Sequence, residues 1–121
     1  MRISEAANTS GLSADTIRYY EKSGMLPEIP RGSDGHRRFD DRHIDWLILL
    51  YWLRETGMPM QQMRRFTTIA KTGGNTTTER REILLGHAAE LRRRREILDK
   101  CEEILAIKIA SYEDTVRKED P

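Results

Sequence analysis

Six consecutive residues carry the sharpest chemical signal in the chain: Thr16-Ile17-Arg18-Tyr19-Tyr20-Glu21. An arginine can fork onto guanine or phosphate. Tyrosine hydroxyls can donate to phosphate oxygens while the rings pack on sugars and base edges. With Ile17 turned to the core, Thr16, Arg18, Tyr19 and Tyr20 point partly outward from the N-terminal half of a helix, the half that can enter a major groove. A surface helix with an Arg–Glu pair would explain the same letters. Two adjacent outward tyrosines are costly without a partner, and the surroundings favour the nucleic-acid reading. A second basic group follows: Arg31, His36, Arg37 and Arg38, around a turn permitted by Gly32 and Gly35. Such a loop can clasp a backbone or minor groove.

The elements that must position these residues are marked by punctuation. Ser4 is a cap for a short helix through Thr9, and Ser10-Gly11 breaks it. Ser13 caps a second helix, Ala14 to Ser23, and Gly24 supplies a left-handed stop. Helix, Gly-containing turn, helix is the outline of a helix-turn-helix. Pro27 and Pro30 exclude a helix between Met25 and Phe39, which reads as a basic hairpin or wing. Asp40 or Asp41 then caps a helix through Thr56. On it Ile44, Leu47, Ile48, Tyr51 and Trp52 recur as a core-facing stripe. Pro59 opens another helix, with Met60, Met63, Phe66 and Thr67 on one side, and Gly73-Gly74-Asn75 breaks the chain.

From Thr76-Thr77-Thr78-Glu79, a capping-box pattern, to Tyr112 only Gly86 interrupts the helix-forming residues. Leu84, Leu91, Leu98, Leu105 and Tyr112 recur every seven residues, the mark of a helix–helix seam, beside a second row of Ile83, Ile97 and Ile104. Two copies of the chain are expected to pair there as a homodimer. Residues 113–121 read as a charged, fraying tail. The cluster Arg92 to Arg95 reads as a solvated helix face, because Glu90, Glu96 and Asp99 stand four residues from Arg94, Arg92 and Arg95. The expected organisation is a DNA-binding domain over 1–75, a dimerisation helix over 76–112 and the tail.

Composition narrows the classes. The chain has 121 residues, 37% hydrophobic and 34% charged, so it can bury only a small core. With 21 basic and 20 acidic residues the net charge is +1, and any nucleic-acid partner must be read from local residues. The longest apolar run, Trp46 to Leu53, is far short of a membrane span, and no signal-peptide core follows Met1. A cytoplasmic protein without membrane contact is expected. One cysteine, Cys101, excludes a disulfide framework and multi-cysteine zinc or iron–sulfur sites. No Ser-His-Asp set, phosphate loop or metal-ligand spacing is present, so neither an enzyme nor a bound cofactor is expected. The alternative to a DNA-binding regulator is a coiled-coil interaction module with an incidental basic loop.

The ordered series Ile3-Ser4-Glu5-Ala6-Ala7, Gly11-Leu12-Ser13, Thr16 to Glu21, Gly24-Met25-Leu26, Arg31, Gly35-His36-Arg37-Arg38-Phe39 and Arg54-Glu55-Thr56-Gly57-Met58 resembles the MerR family of bacterial transcription regulators. The resemblance implies a mainly all-α fold: a winged helix-turn-helix followed by a long helix that pairs as an antiparallel coiled coil. It implies DNA contacts from Arg18, Tyr19 and Tyr20 on the recognition helix, from Arg37 in the wing with Arg31 and Arg38 beside it, and from Arg54. Thr16 and His36, which replaces the aromatic more usual before the wing arginine, join them as candidates from their places on the helix and the basic loop. It implies dimerisation through Leu84, Leu91, Leu98 and Leu105. The expected target is a palindromic operator in a promoter with an overlong spacer, kinked and untwisted so that RNA polymerase can use it. The chain is most similar to a short, small-effector subgroup that includes aldehyde-responsive members. Trp52 stands where those members carry their cysteine, so a small-molecule effector would be sensed without that thiol.

Overall fold

A computed structural model describes residues 1–119. Five helices follow one another: α1 (Ile3–Ser10), α2 (Ala14–Lys22), α3 (Asp41–Glu55), α4 (Met60–Lys71) and α5 (Thr77–Glu119). Met1–Leu84 forms one compact unit, and the chain from Leu85 onward forms a second.

The first two helices obey local rules at their junction. Gly11 takes the left-handed conformation, φ 83°, and its N–H donates to the Ala7 carbonyl at 3.0 Å. Ser13 then caps α2, its hydroxyl accepting the Thr16 N–H at 3.1 Å. The start of α1 differs from expectation. Ser4 is not its cap: the helix begins at Ile3 behind an extended Arg2 that makes no side-chain capping bond. Tertiary pairing of Met1, the residue before Arg2, sets how the chain enters the helix. The Met1 amine donates to the Phe39 carbonyl at 2.7 Å, and the Phe39 N–H donates back to Met1 at 2.8 Å. The main chain is thereby fixed at Met1, two residues before Ile3.

Between α2 and α3 the wing is narrower than a hairpin. Arg31 and Arg37 form one isolated antiparallel bridge, and no strand occurs among the described residues. The Gly32 N–H donates to His36 O and the Arg38 N–H to Pro30 O, both at 2.8 Å. Pro27 and Pro30 lack a donor, so the pairing stops where the prolines begin.

Asp40 caps α3 by accepting the Arg42 and His43 N–H groups at 2.9 and 3.1 Å, while Nδ1 of His43 accepts the Asp40 N–H at 2.9 Å. This reciprocal box keeps the Asp40 carboxyl below its usual range, chiefly through the His43 N–H. Ile44, Leu47, Leu50 and Leu53 line the buried face of α3. Trp52 is not on that face. It is 58% exposed, its ring edge-on to the neighbouring Tyr51 ring at 4.9 Å. A spacing of three carries the buried row through Leu50 to Leu53, which turns Trp52 away. Trp46 does join the core margin. It stacks on Phe66 at 5.2 Å and donates Nε1–H to the Met25 carbonyl at 2.8 Å. Met63, Phe66 and Thr67 complete α4's buried side.

The last helix starts with the Arg80 N–H on Thr76 O at 3.0 Å. Ile83 is buried in the first unit's core, with Leu84 packed beside it. In the second unit the helix does not end at Tyr112. It continues through Glu119, where a fraying tail was expected from Glu113; Asp120 and Pro121 lie outside the described residues. No Gly or Pro interrupts this stretch. Asp114 pairs with Lys118 at 3.2 Å, and the Thr115 hydroxyl donates to Ser111 O at 3.1 Å. Apolar residues of this unit stand in solvent: Leu98, Leu105 and Tyr112 are 60%, 52% and 61% exposed.

Leu47 is fully buried at the centre of the first unit. Leu47→Ala should destabilise that unit by about 2–5 kcal/mol, read as a lowered urea midpoint with unchanged helical circular dichroism in buffer. A loss below about 1 kcal/mol would contradict the placement of Leu47 at the core's centre.

Candidate nucleic-acid interface

What α2 presents follows from what it buries. Ile17 and Tyr20 are fully enclosed, three residues apart on one face. Asp15, Thr16, Arg18 and Tyr19 are left on the other side, with Arg18 and Tyr19 exposed and Thr16 half-buried. Arg18 Nη1 donates to Asp15 Oδ1 at 3.0 Å, a pair within one helical turn. The expectation of two outward tyrosines is therefore half corrected. Tyr19 is 48% exposed, whereas Tyr20 is a core residue with no accessible surface. Helical geometry decides this, because Tyr20 lies one turn from Ile17 and Tyr19 does not.

Tyr20 still acts on the surface through its hydroxyl. Arg54 Nη1, from the end of α3, donates to Tyr20 Oη over a long 3.4 Å. That hydrogen bond raises the Arg54 guanidinium's pKa above its usual value. Arg54 shares a shallow cleft of about 460 Å³ with Asp15, Thr16, Tyr19, Met58 and Met60, on one flank of α2.

The other flank is strongly basic. A cleft of about 290 Å³ is lined by Arg2, Ile3, Ser4, Arg18, Arg31, His36 and Arg37. The fold thus brings Arg18 of α2 together with Arg31, His36 and Arg37 of the wing. It adds Arg2, which the sequence reading missed. Arg2 lies just before α1, and nothing local in the sequence marks it as part of the wing's surroundings. Arg38, on the wing's returning arm, is exposed, paired with Asp34 at 3.4 Å, and absent from the cleft's lining.

Most of these cations are already oriented. Arg37 Nε donates to Glu21 Oε1 at 2.7 Å, with both side chains about three-quarters buried, so α2 holds the base of the wing. Arg31 Nη1 donates to Gly35 O at 2.8 Å across the wing's turn. Asp34 accepts the His36 N–H at 3.1 Å and lies 3.2 Å from Arg2 Nη2. Its carboxyl is held below the usual range, first by the His36 N–H and then by Arg38, His36 and Arg2. Guanidinium groups fixed in this way suit phosphate oxygens, which demand the same planar fork.

The arginine cluster on α5 behaves differently. Glu90 takes Arg93 at 2.6 Å and Arg94 at 3.4 Å, and its carboxyl is held down to about 2, chiefly by the Arg93 hydrogen bond. Arg93 and Arg94 are thus paired within the helix through Glu90, the Glu90–Arg94 pair being the four-residue one the sequence suggests. No group of three or more His, Cys, Asp or Glu side chains among the described residues is placed to hold a metal ion, and Cys101 is exposed. No helix among them is long and apolar enough to cross a membrane.

Comparison with known proteins agrees with this geometry. Residues 1–68 match the family described as MerR HTH family regulatory protein. An uncharacterized HTH-type transcriptional regulator of Haemophilus influenzae is 34% identical over 109 residues, covering 90% of this chain and 81% of that protein. A crystal structure of HiNmlR, a MerR family regulator lacking the sensor domain, bound to promoter DNA, superposes with a TM-score of 0.82 at 33% identity. It covers 93% of this chain and 90% of that one. A MerR family transcriptional regulator from Listeria monocytogenes gives a TM-score of 0.84 at 32% identity, covering 93% and 86%.

The Tyr20–Arg54 contact is tested by a double-mutant cycle on unfolding free energy. Tyr20→Phe removes only the hydroxyl and should cost up to about 1 kcal/mol. Once Arg54 is already alanine the same change should cost less. Equal costs in both backgrounds would show that the two groups do not interact.

Proposed function

The chain belongs to the MerR HTH family of regulatory proteins, and from that premise we propose how its surfaces divide the work of a homodimeric promoter-binding regulator. It is a DNA-binding transcription regulator and not an enzyme. The observation that carries the assignment of surfaces is the convergence of Arg18, Arg31, His36 and Arg37 on one cleft beside the outward ridge of α2.

In this reading α2 enters the major groove with Thr16, Arg18 and Tyr19 toward base edges and the adjoining backbone. Arg31, His36, Arg37 and Arg38 of the wing clasp the flanking phosphates. Arg54 takes a phosphate on the opposite flank, with Tyr20 supporting it from the core instead of touching DNA. Glu21 supports Arg37 in the same manner. Phosphate contacts fix the register, and the few side chains on the α2 ridge supply the sequence preference.

Leu91, Leu98 and Leu105 form the seam of the homodimer. The first leucine of the repeat, Leu84, packs in its own unit's core and contributes least. Burying the exposed apolar rows of two copies against each other supplies the association free energy, because apolar area on this scale is unfavourable in water. Two α2 ridges then meet a palindromic operator. Two wings gripping a duplex at a separation fixed by protein can bend and untwist it, which places RNA polymerase as the next partner at the promoter. Such work belongs in the cytoplasm, with the chromosome.

Two experiments test the division. On an operator obtained by selection from random duplexes, Arg18→Ala should weaken specific binding about ten- to a hundredfold without changing the dimer's mass. Binding equal to wild type would remove α2 from the interface. Leu98→Asp should yield a monomer by multi-angle light scattering; an unchanged dimer mass would exclude the leucine seam.

A further inference from the structure

The wing tip carries a carboxylate in the middle of its cationic surface. One oxygen of Asp34 accepts the His36 N–H at 3.1 Å. The other is shared by Arg2 Nη2 at 3.2 Å and Arg38 Nη2 at 3.4 Å. The two arginines approach from different parts of the chain, one from before α1 and one from the wing's returning arm. On its way to the carboxylate the Arg38 side chain lies close against Gly32. A Cβ there would lie 2.5 Å from Arg38 Nε and 2.8 Å from Nη2. Arg38 in its present course thus uses space that a side chain at position 32 would take. Asp34 is charged at neutral pH as any exposed carboxyl is, and the His36 N–H, ahead of the nearby cations, holds its pKa lower still.

A carboxylate pinned between two guanidinium groups offers them what a DNA phosphate offers: anionic oxygens that accept charge-assisted hydrogen bonds. We propose that Asp34 is an internal competitor for DNA phosphate, occupying Arg2 and Arg38 in the free protein so that a duplex must displace it before those two side chains engage the backbone. This rests on the DNA-binding reading of the wing and adds a restraint to it. Asp34 lowers the protein's affinity for arbitrary duplex and sets how steeply that affinity depends on salt. The free energy of two ion pairs is lost when the wing seats on DNA, so loose electrostatic encounters are shortened.

The test uses a random-sequence duplex of about 30 base pairs and fluorescence anisotropy across about 50–200 mM KCl, where phosphate contacts dominate the signal. Asp34→Asn keeps an amide oxygen for the His36 N–H and removes the charge. Asp99→Asn, on exposed α5 surface, makes the same change in net charge and is the reference. Asp34→Asn should bind about three- to tenfold tighter than Asp99→Asn at 0.1 M salt. Its slope of log K against log salt should steepen by about one to two, since each added phosphate contact contributes about 0.9. Asp34→Asn that binds no tighter than Asp99→Asn overturns the proposal. In an Arg2→Ala, Arg38→Ala background the gain should vanish; a gain that persists there reports general charge repulsion and also overturns it. Wild-type protein with no salt-dependent binding to duplex would instead remove the DNA reading on which the proposal stands.

Discussion

The enclosure of Ile17 and Tyr20 against the first unit's core is the constraint on which the remaining surface chemistry depends. Two large side chains three positions apart fix the rotation of α2 about its own axis. Once that rotation is set, Arg18 and Tyr19 have nowhere to go but outward. Burial on this scale is worth several kcal/mol, far more than any single exposed ion pair on the ridge. The ridge is therefore a consequence of packing, and its exposed polar residues can serve recognition without supporting the fold. Tyr20 adds a second consequence. Its phenol oxygen accepts a long hydrogen bond from Arg54, an exposed cation on the opposite flank.

Around that ridge the fold places its carboxylates as carefully as its arginines. Asp15, Glu21 and Asp34 each sit within hydrogen-bond distance of a guanidinium on the basic face of α2 and the wing. They do so to different ends. The Glu21–Arg37 pair is mostly buried and joins helix to wing. Asp15 faces solvent beside Arg18, and its pairing there is weak and screened. Asp34 sits at the wing tip and gathers two arginines at once. A net charge of only +1 thus conceals a face whose cations are locally concentrated and individually held.

Much of this was legible in the sequence wherever the rule is local. Ser13, Asp40 and the glycines after α1 and α3 mark helix ends by residue type, and the structure uses them so. The mainly helical architecture and the family could be read from an ordered series of residues. What escaped depends on contacts between distant residues. Tyr20 and Tyr19 look alike in a string of letters, and only the position of the core separates them. Trp52 fits an apolar stripe on α3, yet the stripe that packs runs through Leu50 and Leu53. Arg2 and Asp34 are 32 positions apart, joined because Met1 and Phe39 exchange main-chain hydrogen bonds at the base of the wing. The end of α5 is the one local exception: its charged residues suit a frayed tail by type, yet the four-residue pair Asp114–Lys118 lies within a helix that continues to Glu119.

The most direct measurement of the central claim is fluorine NMR on protein carrying 3-fluorotyrosine at its four tyrosines, titrated with duplex DNA in the presence of a soluble paramagnetic relaxation agent. In the free protein Tyr19 should be strongly relaxed by the agent and Tyr20 protected from it. On adding DNA the Tyr19 resonance should shift and lose its access to the agent, while Tyr20 stays protected throughout. A Tyr19 signal that neither moves nor becomes shielded at saturating duplex would contradict the account.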